Sequence, residues 1–132
     1  MRKIDTVIIH CADTPAKMDI GAKEIRDWHV NERGWSDIGY HYVIRRNGEI
    51  EVGRQESVVG AHCRGRNSTS IGICMVGDST FTRTQFRSLR KLVDELELRY
   101  DLIEVTGHYS YSSKTCPNFN VEEWLKCQDV TL

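Results

Sequence analysis

Three residues spread along a chain of 132 amino acids, His10, His108 and Cys116, are of the types from which proteins build an open zinc site. Imidazole and thiolate suit a borderline-soft ion at roughly 2.0–2.1 and 2.3 Å, and three protein donors leave a fourth position for water, as catalysis requires. No compact ligand motif such as HExxH is present, so spacing alone leaves open the plainer reading of unrelated buried histidines and a buried cysteine. His10 closes one strand-like run and His108 stands just past another. If those strands are parallel neighbours, both imidazoles emerge on one rim. Cys116, in the loop 109–118, can fold back to the same place.

Other side chains could serve such a centre. Lys114 precedes Cys116 by two. In an extended segment the two would share a side, and the ammonium could donate to the oxyanion of a tetrahedral intermediate. Tyr40 opens a strand-like run and either offers its hydroxyl to a cleft or simply packs. His62, Arg64 and Asn67 lie in a polar, glycine-containing loop (60–67) that could contact a ligand. His29, beside Trp28, reads as a structural histidine. Cys11, Cys63, Cys74 and Cys127 read as small buried or half-buried residues.

The elements that must position these groups are short. Strand-like runs rich in β-branched or aromatic residues cover Asp5–His10, Tyr40–Arg46, Glu49–Gly53, Ser70–Val76 and Glu104–Gly107. Asn47-Gly48 between the second and third marks a hairpin. Alternation along Tyr40–Arg46 puts Tyr40, Tyr42 and Ile44 on one face and His41, Val43 and Arg45 on the other.

A helix is expected over Ala22–Glu32, stopped by Gly34. A second starts at a Thr82/Gln85 capping box and carries one apolar stripe through Phe86, Leu89, Val93, Leu96 and Tyr100. A third, shorter helix is expected over Val121–Lys126. Strands alternating with helices around an antiparallel hairpin imply an α/β fold, a mixed sheet flanked by helices. Ligands of such sheets favour the strand ends.

Bulk properties narrow the classes. With 39% apolar and 28% charged residues, no repeat and no linker, one soluble globular domain over residues 1–132 is expected. A formal net charge of −1 gives no support to nucleic-acid binding. The apolar run Val7–Ile9 is too short for a signal peptide, and nothing approaches a membrane span. Synthesis in the cytoplasm, without export by a leader, is the expectation. Five cysteines, odd in number and without a CxxC pair, make a poor disulfide framework.

With these residues in place, the chain resembles the type 2 N-acetylmuramoyl-L-alanine amidase family, which includes phage lysozymes and peptidoglycan recognition proteins. The matching stretches are Val7–Ala12, Glu24–His29, Gly34–Tyr42, Val59–His62, Ser70–Ile73 and Lys114–Pro117, in the family's order and across nearly the whole chain. The resemblance implies a mixed sheet with helices on both faces and Zn2+ in a surface cleft at strand ends. It places the metal ligands on His10, His108 and Cys116 and the catalytic tyrosine and lysine on Tyr40 and Lys114. It also makes His62, Asn67 and Arg64 substrate-binding candidates. Many relatives carry aspartate as third ligand, so Cys116 puts this chain nearer the phage-lysozyme and recognition-protein branch. No appended wall-binding domain is expected.

The activity so implied is hydrolysis of the amide between N-acetylmuramic acid and L-alanine in peptidoglycan by a monomer, in the setting of a phage or prophage endolysin that reaches the wall after release. A cytoplasmic muropeptide-recycling amidase is the other setting. A non-catalytic peptidoglycan-binding module on the same fold, and a regulator acting on another protein, are the rival functions.

Overall fold

The computed structural model describes residues 2–127; Met1 and residues 128–132, part of the expected 1–132 domain, lie outside them. The strands are β1 (Thr6–Cys11), β2 (Tyr42–Ile44), β3 (Ile50–Val52), β4 (Ser70–Met75) and β5 (Glu104–Gly107). The helices are α1 (Ala22–Arg33), α2 (Arg83–Arg99) and α3 (Val121–Lys126). One sheet holds all five strands in the order β3-β2-β4-β1-β5. β1 runs parallel to β4 and β5, β2 runs parallel to β4, and β3 pairs antiparallel with β2.

All six residues of β1 and all six of β4 are buried, as central strands covered on both faces must be. One face carries Val7, Ile9, Ile71, Ile73 and Met75 against Leu89, Leu92, Val93 and Leu96 of α2 and Val121 of α3. The other carries Val43, Cys74 and Val76 against Ala22 and Ile25 of α1. Burying each such branched side chain contributes about 1.5–3 kcal/mol, so this two-sided core fixes the sheet on which the candidate site is built.

Local chemistry sets the helix ends. At the start of α1, Glu24 and Glu51 carboxylates accept the N–H groups of Gly21 and Ala22, both at 2.8 Å. Gly34, left-handed with φ 72°, ends the helix where the sequence places its stop. α2 has the expected capping box: Gln85 N–H donates to Thr82 Oγ1, and Thr82 N–H to Gln85 Oε1, each at 3.0 Å. Gln85 does more than cap. Fully buried, its Nε2 donates to the carbonyls of Val76 at 2.8 Å and Ile44 at 3.2 Å, tying α2 to the ends of β4 and β2. Along the stripe, Leu92 joins the core, while Phe86 and Tyr100 are half-buried.

Two details differ from the sequence-based expectation. The hairpin turns through three residues, not the Asn-Gly pair alone. Gly48 N–H bonds to the Arg45 carbonyl at 2.8 Å, and of the loop residues Arg46, Asn47 and Gly48 only Gly48 has positive φ, at 89°. This is a three-residue loop with a left-handed glycine after the turn.

Strand β2 also begins later, at Tyr42, and Tyr40 does not share the face of Tyr42 and Ile44. Tyr40 packs with Val43 and α1, whereas Tyr42 and Ile44 face α2. Gly53 N–H bonds to the His41 carbonyl and the next residue's N–H, that of Arg54, to the Tyr40 carbonyl, which breaks the alternation of an antiparallel ladder. A side chain at Gly53 would lie 2.3 Å from the Tyr40 oxygen, so this kink requires glycine there. The kink turns the Tyr40 ring onto the α1 side.

Candidate active site and metal centre

Because β1 and β5 are parallel neighbours with Ile9 level with Gly107, His10 and His108 emerge side by side. Their ring centroids lie 4.5 Å apart. Cys116 arrives from the loop after β5, and Tyr109 N–H donating to the Cys116 carbonyl at 3.0 Å closes that loop on its own start. One nitrogen from each of His10 and His108 and the sulfur of Cys116 all lie within 4.8 Å of one another. Bonds of roughly 2.0–2.3 Å to a central ion span such a triangle with small inward shifts, and two neutral nitrogens with one thiolate are a fitting zinc set.

Electrostatics favour that use. Burial holds the His10 imidazolium well below the ordinary histidine range, with His62, His108 and Lys114 adding to the effect. His108 is lowered by burial and by Lys114. Both are therefore neutral, with a lone pair to give. The Cys116 thiol is pushed up by the adjoining Cys11 sulfur and by burial, so a cation is needed to make it a thiolate. One donor already faces that sulfur: the backbone N–H of Cys11, at 3.1 Å.

Tyr40 lies against the cluster, its ring centroid 5.1 Å from that of His10. Burial, then the Cys74, Cys116 and Cys11 thiols, push its phenol well above the usual range, so it remains a protonated donor. The extended route expected for Lys114 is not the one the chain takes. The segment 112–118 is a series of bends and turns, not an extended strand; even so, the exposed ammonium bears on both His10 and His108.

The loop candidates divide. His62 is directly under His10, with its Nδ1 2.8 Å from His10 Nε2, while its Nε2 lies 3.2 Å from Ser70 Oγ. Asn67 Oδ1 accepts the backbone N–H groups of both His62 and Cys63 at 2.9 Å, holding the loop in shape. Arg64 is exposed.

Sequence reasoning did not find the parts played by Cys11, Ser70 and Gly72, whose seat for the His62 ring no motif announces. Nor did it find the cavity of about 440 Å³ that adjoins Tyr40, lined also by Ala12, Trp28, His29, Glu32 and Arg33. The helical spacing 25, 28, 29, 32 was the available signal. His29 keeps its structural bond, Nδ1 accepting from Gly39 N–H at 2.9 Å, and also faces this cavity.

Fold and site together define a mixed-sheet protein with an open, three-donor candidate metal centre beside a phenol and an ammonium, the layout of a metal-dependent hydrolase. The family profile described as N-acetylmuramoyl-L-alanine amidase matches residues 1–119. The endolysin of Klebsiella phage KP32 is 42% identical over 132 residues, covering 94% of this chain and 87% of its own length. The endolysin of Escherichia phage T7 is 40% identical over 134 residues, covering 96% of this chain and 88% of its own. Among solved structures, the N-acetylmuramoyl-L-alanine amidase LysC from Clostridium intestinale URNW matches with a TM-score of 0.84 at 30% identity, over 93% of this chain and 83% of that one.

This chain belongs to the N-acetylmuramoyl-L-alanine amidase family and is a peptidoglycan amidase. The family is generally zinc-dependent. Among the described residues, no helix is long and apolar enough to cross a membrane.

Proposed function

We propose that this chain acts as an endolysin, cutting the amide between the lactyl carbonyl of N-acetylmuramic acid and L-alanine with a zinc ion held by His10, His108 and Cys116. The observation that carries the metal assignment is the triangle of one sulfur and two nitrogens within 4.8 Å. The endolysin role is supported by the phage relatives.

When bound there, zinc polarises the carbonyl and lowers the pKa of a water towards ~7. His10 and His108, kept neutral by burial, hold the ion without first losing a proton. Tyr40, a protonated phenol beside His10, orients the attacking water or passes a proton to the leaving amine. Lys114 places a positive charge where the carbonyl oxygen becomes negative. The cavity beyond Tyr40 offers room for the peptide side of the scissile bond, between the apolar wall of Ile25 and Trp28 and the charges of Glu32 and Arg33. Arg64, exposed on the His62 loop, is assigned to contacts with the saccharide or peptide outside the centre.

The test is release of new L-alanine amino termini from purified sacculi. Release that a chelator stops and zinc restores supports the assignment; binding to sacculi without new termini contradicts it.

A further inference from the structure

The second imidazole under the candidate metal centre is ordered by a chain of hydrogen bonds whose direction can be read. Ser70 is fully buried, and its Oγ lies 2.8 Å from the Arg66 carbonyl and 3.2 Å from His62 Nε2. A carbonyl cannot donate, so the single hydroxyl proton of Ser70 goes to Arg66 and its oxygen is left to accept. His62 must then carry its proton on Nε2, which makes its Nδ1 an acceptor. His10 Nε2, 2.8 Å from that Nδ1, is thereby the donor. The Nδ1 of His10 is left with its lone pair.

The seat of the His62 ring is built rather than incidental. A Cβ at Gly72 of β4 would lie 2.5 Å from His62 Cγ, and one at Gly60 would lie 2.8 Å from His62 Cδ2. The imidazole thus occupies the space that side chains at both positions would fill. Asn67 clamps the His62 backbone from the far side of the loop.

We infer that His62 is a positioning residue: with Ser70 and the Arg66 carbonyl it fixes His10 in the tautomer protonated at Nε2, presenting Nδ1 to the metal. This rests on the reading of His10 as a zinc ligand. Partners of this kind orient the ligating ring and raise its basicity, and their loss costs roughly 10–100-fold in metal affinity. The role differs from substrate contact, because both ring nitrogens of His62 are engaged inside the protein.

The test is zinc affinity, measured by competition with a chromophoric chelator on the full chain and on His62→Phe and His62→Gln. Phenylalanine fills the seat without an acceptor, and glutamine restores an amide oxygen that can accept from His10. The expected result is a 10–100-fold weaker zinc affinity for His62→Phe, largely recovered in His62→Gln. Unchanged zinc affinity in His62→Phe with a raised KM for muropeptides would overturn the inference in favour of substrate contact.

Long-range 1H–15N spectra of the unsubstituted zinc-loaded protein give a check that needs no variant to fold. The proton of His10 is expected on Nε2, and a proton on Nδ1 overturns the inference. If the unsubstituted chain takes up no zinc, the metal assignment itself fails, an outcome separate from either of these.

Discussion

The backbone N–H of Cys11 points at the sulfur of Cys116 from 3.1 Å, across a separation of 105 residues. A donor supplied by the main chain of β1 is aimed by the sheet itself, and it stabilises the thiolate form that a metal would require. The two cysteine sulfurs are also close, at 3.7 Å. Because the donor belongs to the backbone, Cys11→Ala is expected to keep zinc affinity within a few-fold of the parent. It should lose only about 1 kcal/mol of stability for the small void left. Zinc titration with a thermal melt checks both.

Tyr40→Phe removes one hydroxyl from a ring whose position is set by packing with Val43 and the α1 side chains. Turnover of muropeptides is expected to fall about 10²–10³-fold, the usual loss for a donor acting at the reacting centre. Zinc content should be unchanged. A variant with normal turnover would reduce Tyr40 to a packing residue.

Two histidines away from the candidate ligands contribute to the acid limb of stability. His29 is lowered to about 4 by burial, with Arg33 and Arg54 adding to it. His41 is also lowered to about 4, by burial against the opposing effect of the Val58 carbonyl, with Arg2 and Arg54 lowering it and Glu56 raising it. In the unfolded chain each takes up a proton near pH 6.5, while the folded chain stays neutral there. The unfolded state therefore binds more protons as pH falls, and stability declines from about pH 6.5 down to about 4. Each group contributes at most about 1.4 kcal/mol per pH unit in that window. Denaturant melts between pH 7.5 and 4 would show it, and a flat profile contradicts it.

Gln85→Ala separates structure from chemistry. It strips partners from the Ile44 and Val76 carbonyls and the Thr82 N–H, all inside the α2–sheet contact. The Ile44 carbonyl keeps the Val76 N–H at 3.0 Å and the Val76 carbonyl keeps Arg46 Nη1 at 3.4 Å, so the lost hydrogen bonds, the unpaired Thr82 N–H and the void together cost about 2–4 kcal/mol. Urea melts should show that drop, with zinc affinity unaltered.

Much of this was legible in the residues. His10 and His108 at the ends of strand-like runs, the Thr82/Gln85 box and the Gly34 stop are local signals, and local signals survive folding. Three-dimensional accidents of the backbone were not legible. Tyr40 left its expected face because Gly53 lets the chain kink, and alternation rules assume a straight strand. The burial of Gln85 and the seating of His62 on Gly72 depend on contacts between residues far apart in sequence, for which one sequence carries no pattern. The parallel pairing of β1 with β5 was only a condition in the sequence; the structure meets it.

The central claim is that His10, His108 and Cys116 hold a zinc ion that drives amide cleavage. The most direct measurement is zinc stoichiometry and L-alanine amino-terminus release from sacculi, made on the same preparations of the parent chain and of Cys116→Ala. The account predicts about one zinc per parent chain with release, and neither in a folded Cys116→Ala. A folded Cys116→Ala that retains zinc and solubilises sacculi at the parent rate would contradict it.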